Sequence, residues 1–222
     1  MKRIFYTLIL MAVLFQSCLK SPYGKDYMGW RYVLGSAEKN NDISFIAMDD
    51  STKVILLSGH FADSIVGERV YAEGEAYRRS GGFDFALDAV CYSVPTITAQ
   101  FVENQNVIGL RNSASMSLDI REVWQTGKYL NMQLVYSGSA PSKHSFDFFI
   151  DNATERFENN RVTIYIFHNN GGDNIAAKDY KTLYSLNLTN LFEKFNTKFV
   201  ICFVYMENKQ EKKVTTSDIE RN

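Results

Sequence analysis

The chain has 222 residues, of which 45% are apolar and 22% charged, with only 3 Pro and 13 Gly. This composition is typical of a folded globular protein and excludes a largely disordered or collagen-like chain. The length allows one large domain or two small ones. The formal net charge of -1 lacks the positive excess of nucleic-acid-binding proteins, so no nucleic-acid partner is expected.

The N-terminus has the features of a secretory signal peptide over residues 1–17. Lys2 and Arg3 form a positive start, an apolar run follows over residues 4–15, and Cys18 stands at the expected cleavage point. The run is too short for a membrane span, which needs about 20 apolar residues. A Cys at this point resembles the lipobox of bacterial lipoproteins, so we predict lipid attachment at Cys18. The alternative is an ordinary cleaved signal followed by an incidental Cys.

A lipidated Cys18, carrying acyl chains such as palmitate, predicts a cell-envelope protein anchored through lipid in the outer membrane. Residues 18–27 form a short polar tether, because Pro22 and Gly24 interrupt regular structure. Removal of residues 1–17 deletes two positive charges and leaves 22 basic against 25 acidic residues, a mature net charge of -3.

Residues 28–99 are predicted to form a small β-barrel. Over Arg69–Arg79 small residues alternate with large polar or aromatic ones, which indicates an antiparallel strand with its small side chains inward. Gly74, among the inward residues, suits the tight curvature of a closed barrel. Five short strands are what such a barrel needs. The predicted strands are Trp30–Leu34, Ile43–Met48, Lys53–Leu57, Arg69–Arg79 and Phe83–Cys91.

A polar stretch over residues 100–115 is interpreted as an inter-domain linker, and an antiparallel β-sandwich is predicted over 116–208. A short helix is predicted at Thr189–Phe195, with Thr189 or Asn190 as N-cap. The charged tail, 209–222, is predicted to be frayed. The predicted strands are Leu118–Trp124, Lys128–Tyr136, Ser145–Asp151, Arg161–His168, Tyr180–Leu188 and Lys198–Tyr205.

Two cysteines remain once Cys18 is acylated. Cys91 and Cys202 each lie in an apolar, strand-like run and are interpreted as buried thiols. A bridge between them is the alternative, and it would require their Cα atoms to lie within about 7 Å.

Several short motifs together resemble the NigD-like family of lipoproteins from the envelopes of anaerobic gut and oral bacteria. They are the lipoprotein signal, Gly67–Val70, Trp124, Gly127, Tyr129–Asn131, His144 and His168–Asp173. The resemblance implies an all-β chain with an N-terminal OB-like barrel and a C-terminal antiparallel β-sandwich. It implies no enzymatic activity, and the family takes its name from a bacteriocin gene cluster. Surface-exported lipoproteins of such bacteria often carry acidic residues after the Cys, whereas Leu19-Lys20-Ser21 stand here, so the periplasmic and surface faces both stay open.

The sequence shows no catalytic or metal-binding spacing, and we expect no enzyme, cofactor or metal. Its histidines, His60, His144 and His168, lie at least 24 residues apart, and His144 is interpreted as a satisfied rim residue. His168 and Asp173 flank an Asn-Gly-Gly turn, where they either hydrogen-bond the hairpin or bind a partner.

Two surface features are predicted in the barrel. Asp50-Ser51-Thr52 and Asp63-Ser64-Ile65 resemble the sequon of a general O-glycosylation system, which makes Ser51 and Ser64 candidate acceptors. Tyr71 and Tyr77 bracket Glu73 and Glu75, and with Arg79 they form a candidate partner-binding surface. The alternative is that both tyrosines pack against the sandwich or the tether.

These observations favour an envelope lipoprotein that acts as a non-enzymatic binding or interaction module for an unidentified envelope protein or glycan. The alternative is an immunity or accessory lipoprotein associated with a bacteriocin. A hydrolase of envelope glycans ranks last, because the sequence offers no catalytic constellation.

Overall fold

The computed structural model describes residues 26–57, 61, 63–79, 82–102, 118–151, 160–173, 175–195, 198–207 and 210–221. The described residues form an almost entirely β structure, which confirms the predicted fold class. They divide into two compact units, with the boundary between Ser93 and Val94. The predicted signal peptide, Cys18, most of the predicted tether and His60 lie outside the described residues.

The first unit is a closed five-stranded barrel with the strand order β1-β2-β3-β5-β4. Its β3 and β5 pair in parallel and the other neighbours are antiparallel, which gives an OB-like arrangement. The barrel confirms the prediction, although β1 is much longer than expected and takes up the last tether residue. The strands are β1 (Tyr27–Asn40), β2 (Ile43–Met48), β3 (Lys53–Leu56), β4 (Arg69–Arg78) and β5 (Phe85–Ser93).

The inward side of β4 carries the small residues that barrel closure needs. Val70, Ala72 and Ala76 are fully buried, as their alternation predicts. A Cβ on Gly74 would lie 2.0 Å from the Asp88 carbonyl oxygen, so only glycine allows β4 and β5 to approach this closely.

The side chain of Arg69 was expected to face outward with the tyrosines of β4, and this expectation is wrong. Arg69 is buried, and its guanidinium donates two 2.9 Å hydrogen bonds to the Asp49 carboxylate at the end of β2. This paired geometry satisfies the planar guanidinium and allows the charge to be buried.

The second unit is a β-sandwich of two sheets, in the orders β14-β13-β11-β10-β7 and β6-β12-β9-β8. Its strands are β6 (Thr96–Ile97), β7 (Gln100–Val102), β8 (Leu118–Thr126), β9 (Tyr129–Gly138), β10 (Ser145–Asp151), β11 (Arg161–Asn169), β12 (Lys178–Asn187), β13 (Val200–Glu207) and β14 (Gln210–Thr215). The sandwich was predicted to be antiparallel, but both of its sheets are mixed. Parallel pairs join β7 to β10, β6 to β12 and β11 to β13.

Two predicted boundaries of the sandwich differ in the structure. Residues Gln100–Val102, placed in the linker, form β7 and pair with β10. The rest of the predicted linker, residues 103–115, lies outside the described residues. The tail is not frayed over Gln210–Thr215, because these residues pair with β13 as β14. Beyond them Ile219 is buried and bridges to Phe199.

The short helix α1 (Thr189–Lys194) follows β12 as predicted, but its N-cap is Leu188 and not Thr189 or Asn190. Leu188 makes no side-chain capping bond, and the Asn187 side chain instead accepts a hydrogen bond from the Thr189 N–H. Among the described residues, no helix has the length and apolar character that crossing a bilayer requires.

The sandwich core lies between the two sheets and contains alternate residues of β9, β10 and β11, among them Met132, Phe148 and Ile164. The strand β13 is a continuous apolar run and is buried on both sides: Ile201 and Phe203 face the core, while Cys202 and Val204 pack with Tyr165 and Phe167. Both cysteines are free thiols; Cys202 is buried as expected, whereas Cys91 in the barrel is only partly buried.

Candidate functional site

The outer surface of β1, β4 and β5 forms a continuous patch in which large aromatic side chains surround carboxylates. The pairing register sets this patch, because alternate residues of neighbouring antiparallel strands share one face. We call it the aromatic-acidic face and define it as Trp30, Tyr32, Tyr71, Glu73, Glu75, Tyr77, Asp88, Val90 and Tyr92.

Two cross-strand rows make up the centre of the aromatic-acidic face. In the first row Tyr32 of β1 pairs with Glu73 of β4, which pairs with Val90 of β5. In the second row Trp30 pairs with Glu75, which pairs with Asp88. Each carboxylate of β4 therefore has an aromatic neighbour on β1.

The apolar side chains of this face are open to solvent to an unusual degree. Tyr32 is 73% exposed, Val90 60%, Trp30 59% and Tyr92 51%. Single exposed apolar residues are common on protein surfaces, but neighbouring ones that form a patch mark interaction sites. The alternation of β4 predicted its two tyrosines. The same period of two at 30 and 32 and at 90 and 92 is the sequence signal for these four residues, and no prediction was made from it.

The two tyrosines of β4 are half-buried and support the face from within the strand. The Tyr71 hydroxyl donates to Glu73 at 2.9 Å, and the Tyr77 hydroxyl donates to Glu75 at 2.6 Å. The ring of Tyr71 lies 6.4 Å from that of Tyr92, and Tyr77 lies edge-on to Tyr27 at 5.7 Å. The alternative prediction was that both tyrosines pack against the sandwich or the tether. Tyr77 does contact Tyr27, the last residue of the predicted tether.

These hydrogen bonds hold the phenolic protons firmly. Burial, followed by the hydrogen bond to Glu73, raises the pKa of Tyr71 to about 12. The hydrogen bond to Glu75 is the largest cause that raises the pKa of Tyr77 to about 12. Both tyrosines stay neutral near neutral pH, so the net charge of the face comes from its carboxylates.

The other surface residues predicted for the barrel are exposed. Arg79 follows the last residue of β4. Ser51 lies in the turn between β2 and β3 with a left-handed φ of 72°, and Ser64 lies in a short 3-10 helix. Their exposure is compatible with glycosylation of either serine, which stays a prediction.

The sandwich contains a second polar cluster, which we call the His-Asp cluster and define as His144, His168 and Asp173. The β10–β11 pairing places Phe146 opposite His168, which brings His144 Nδ1 to 2.7 Å from His168 Nε2. The other nitrogen of His144, Nε2, lies 3.1 Å from Asp173 Oδ2. His144 is therefore the bridging member and not the rim residue that the sequence suggested.

Asp173 is the main acceptor of the His-Asp cluster. It receives hydrogen bonds from the backbone N–H groups of Ser139 and Ala140 at 2.6 and 2.7 Å and from the Ser139 hydroxyl at 2.7 Å. The hydroxyl bond is the largest of the contacts that hold the pKa of Asp173 well below its usual range. All of these contacts favour the charged carboxylate.

The His-Asp cluster lies inside the sandwich. His168 is 2% exposed and Asp173 3% exposed, so the structure places neither on an open partner-binding surface. Their contacts correspond to the other predicted role, hydrogen bonding that holds the β9–β10 connection against the turn after β11. Tight packing supports this role, since a Cβ on Gly138 would lie 2.6 Å from His144 Nε2.

The chemistry available to the His-Asp cluster is limited by the same contacts. The Ser139 hydroxyl donates to Asp173 and not to an imidazole, so the arrangement differs from a nucleophile paired with a base. Within the described ranges, no group of His, Cys, Asp and Glu residues has the geometry to hold a metal ion.

The sequence matches one protein-family model, the NigD-like C-terminal beta sandwich domain, over residues 103–219. This range covers most of the second unit and confirms the resemblance found in the sequence motifs. Among curated proteins, none matches the chain in sequence.

Solved structures share the architecture of both units. A NigD-like immunity protein from Bacteroides caccae superposes with a TM-score of 0.54 at 18% identity, covering 84% of this chain and 90% of its own. A candidate lipoprotein from Bacteroides fragilis gives a TM-score of 0.60 at 9% identity over 84% and 96%. A candidate toxin-related protein from Parabacteroides distasonis gives 0.65 at 11% identity over 87% and 94%. At these identities the likeness is one of fold.

Proposed function

The chain belongs to the family of proteins with a NigD-like C-terminal β-sandwich domain, and from this premise we propose that it is a non-enzymatic binding module of the bacterial cell envelope. Its binding surface is the aromatic-acidic face of the barrel. The sandwich has no part in binding in this proposal, and the hydrogen bonds of the His-Asp cluster stabilise its fold.

The observation that carries this proposal is the exposure of Trp30 and Tyr32 beside Glu73 and Glu75. Adjacent exposed aromatic side chains do not help a protein to stay soluble. Burying each of them against a partner, in contrast, would stabilise the complex by roughly 1.5–3 kcal/mol. Aromatic residues are enriched at the centres of protein interfaces, where a few of them supply most of the binding energy.

The envelope location rests on the N-terminal sequence and on the likeness to a candidate lipoprotein of Bacteroides fragilis. A lipid anchor at Cys18 would hold the barrel close to a membrane through its acyl chains, and two chains suffice for stable attachment. In cells labelled with a radioactive or clickable fatty acid, we expect wild-type protein to carry the label and Cys18→Ser to lose it. Equal labelling of the two would rule out the anchor.

A non-enzymatic role is supported by how the polar groups of the His-Asp cluster are used. Asp173 is saturated by backbone and hydroxyl donors, and both imidazoles are engaged within the interior. Groups that are buried and fully hydrogen-bonded stabilise a fold, whereas catalytic groups need access to a substrate.

The experiment that tests the binding surface uses Trp30→Ala combined with Tyr32→Ala. Both side chains are exposed, so the variant should fold normally and capture less of an envelope partner in a pull-down from envelope extract. The matched control is Ile175→Ala, a 64% exposed apolar side chain in the sandwich, which should capture as wild type does. Equal capture by the face variant and the wild type would refute the binding surface.

A second candidate function is an immunity or accessory role beside a bacteriocin. It is favoured by the likeness to a NigD-like immunity protein from Bacteroides caccae. A strain lacking the gene should then become sensitive to bacteriocins of neighbouring strains, and the wild-type gene should restore resistance. Unchanged sensitivity across such a panel would remove this candidate and leave the binding module in place.

A further inference from the structure

The strand β1 has one edge that is covered over only part of its length. Its pairing with β4 extends over Tyr27–Ser36, whereas its pairing with β2 begins at Gly35. Among the described residues, no strand lies against the β2 side of β1 before Gly35. We call this stretch the β1 edge and define it by the backbone groups of Trp30 and Tyr32.

The backbone groups of the β1 edge point away from β4. Where the pairing with β4 ends, the Ala37 N–H donates to the Glu68 carbonyl at 2.8 Å, so the odd-numbered residues of β1 bond to the β4 side. The backbone groups of successive residues in a strand point to opposite edges. Trp30 and Tyr32 therefore direct two N–H and two C=O groups to the β1 edge, where no described strand pairs with them. The Trp30 carbonyl accepts a 3.3 Å hydrogen bond from the neighbouring Arg31 guanidinium and keeps a second lone pair for another donor.

The side chains along the β1 edge do little to prevent pairing with another strand. Natural proteins protect open edges by covering them or by placing Lys or Pro on them. Residues 29–34 contain neither Lys nor Pro, and Arg31 is their single charged residue. The two residues whose backbone groups are open, Trp30 and Tyr32, also carry exposed rings of the aromatic-acidic face. Open backbone groups and exposed apolar surface therefore coincide, as they do where sheets accept an extended peptide.

The side chains of β1 also determine which residues an added strand should carry. Residues opposite Trp30 and Tyr32 would lie on the same face as the two rings, where aromatic and β-branched residues form stabilising cross-strand pairs. The residue between them would lie opposite Arg31 on the other face of the sheet. Arg31 is exposed and forms no ion pair within the described part of the chain, so an acidic residue at that position would gain one.

We propose that the β1 edge accepts an extended segment of a partner protein as an additional antiparallel strand, with apolar residues beside Trp30 and Tyr32 and an acidic residue opposite Arg31. This inference rests on the proposed binding function and specifies how the partner is bound. Backbone hydrogen bonds supply affinity in such strand addition, and the alternating side chains supply selectivity. A second copy of this chain fits less well. The antiparallel register that pairs Trp30 of one copy with Tyr32 of the other places the two Arg31 side chains opposite each other.

The test is a calorimetric titration of the mature chain, from residue 18 and carrying Cys18→Ser, with a capped peptide that alternates valine and polar residues around a central glutamate. Two derivatives carry backbone N-methyl groups, one on the valines and the other on the residues between them. In an antiparallel pair, the residues opposite Trp30 and Tyr32 exchange both hydrogen bonds with them, so the valine N–H groups face the β1 edge. Methylation of the valines should weaken binding at least tenfold, and methylation of the other residues by less than about twofold. Equal binding of the two derivatives, or weaker binding of the second, would overturn the added antiparallel strand.

The position of the acidic residue is tested with Arg31→Glu. This variant should bind the glutamate peptide about fivefold more weakly than wild type, and it should prefer a peptide with a central lysine. The matched control is Arg161→Glu, which changes an exposed arginine of the sandwich that forms no ion pair among the described residues. It should bind the glutamate peptide within about twofold of wild type. Equal weakening by the two variants would show general charge attraction and overturn the placement of the acidic residue opposite Arg31.

Failure of the strand addition is separable from failure of the proposed function. If the peptide titrations contradict the added strand, loss of envelope-partner capture by Trp30→Ala with Tyr32→Ala would still support the aromatic-acidic face as a binding surface. Retained capture by that variant would overturn the binding surface and this inference with it. Sedimentation of the mature chain tests the second copy. A dimer that is lost in Trp30→Ala with Tyr32→Ala would place a second copy at the β1 edge and overturn the partner segment.

Discussion

The aromatic-acidic face of the barrel and the His-Asp cluster of the sandwich are built from similar groups, carboxylates beside aromatic or imidazole rings. In the sandwich every described contact of Asp173 ends on another group of the same unit, and the side chain is buried. On the barrel the rings of Trp30 and Tyr32 are mostly exposed, and within the described part of the chain Glu73 and Glu75 accept hydrogen bonds from tyrosine hydroxyls. Polar groups that are satisfied internally stabilise the fold, while groups left open beside exposed rings are available to a partner.

The largest effect is expected from Asp173→Ala. The change leaves the Ser139 and Ala140 N–H groups and the His144 imidazole without their acceptor in the sandwich interior. Thermal unfolding should show a melting temperature lower by on the order of 10 °C. The control is Asp179→Ala, which removes an exposed carboxylate that accepts from Ser137, and it should lower the melting temperature by less than about 2 °C. Equal decreases in the melting temperature of the two variants would mean that the His-Asp cluster does not stabilise the sandwich.

The next effect concerns acid stability. The pKa of Asp173 is lower in the folded chain than its ordinary value of 3.8, so below about pH 4 the unfolded chain binds the extra proton first. The stabilisation from Asp173 is complete above that value and is lost as the pH falls. The melting temperature should therefore drop more steeply between about pH 5 and pH 2 in wild type than in Asp173→Asn. Parallel curves for the two proteins would contradict the role of the charged carboxylate.

A smaller effect is expected at the phenol of Tyr77. Its pKa of about 12 means that the folded chain keeps the proton while the unfolded chain loses it near 10, so this stabilisation disappears as the pH rises from 10 to 12. Because the bond to Glu75 is the main cause, Glu75→Gln should lower the pKa of Tyr77 towards 10. NMR titration of ring-labelled tyrosine, with Tyr77→Phe to assign the signal, measures it. An unchanged titration would show that this hydrogen bond does not form in solution.

The smallest effect should come from Trp30→Ala with Tyr32→Ala on stability. Both side chains are exposed and face solvent, so the melting temperature should stay within about 2 °C of wild type. A much larger decrease would show that the two rings support the barrel, and the contrast with the His-Asp cluster would then disappear.

The local patterns of the sequence predicted much of the barrel and the central strands of the sandwich. The small residues at 70, 72, 74 and 76 lie inside because strand alternation and closure depend on neighbours along one strand. The strands β6, β7 and β14 were missed, because β6 and β7 are too short to show a period and β14 is a charged segment ordered by its pairing with β13.

The candidate sites were predictable only where both partners lie on one strand. Tyr71 and Glu73 are two residues apart, so their place on one face followed from alternation. The contact between His144 and His168 depends on the β10–β11 register, and the burial of Arg69 depends on Asp49, twenty residues earlier. Contacts of this kind are fixed by tertiary structure and leave no local signal.

The most direct test of the central claim is photocrosslinking in living cells. A photoreactive amino acid at position 32, replacing Tyr32, should yield a discrete crosslinked product with a partner protein. The same amino acid at position 175, replacing the exposed Ile175 of the sandwich, should yield none. No product at position 32, or the same product from both positions, would contradict the assignment of the aromatic-acidic face as the binding surface.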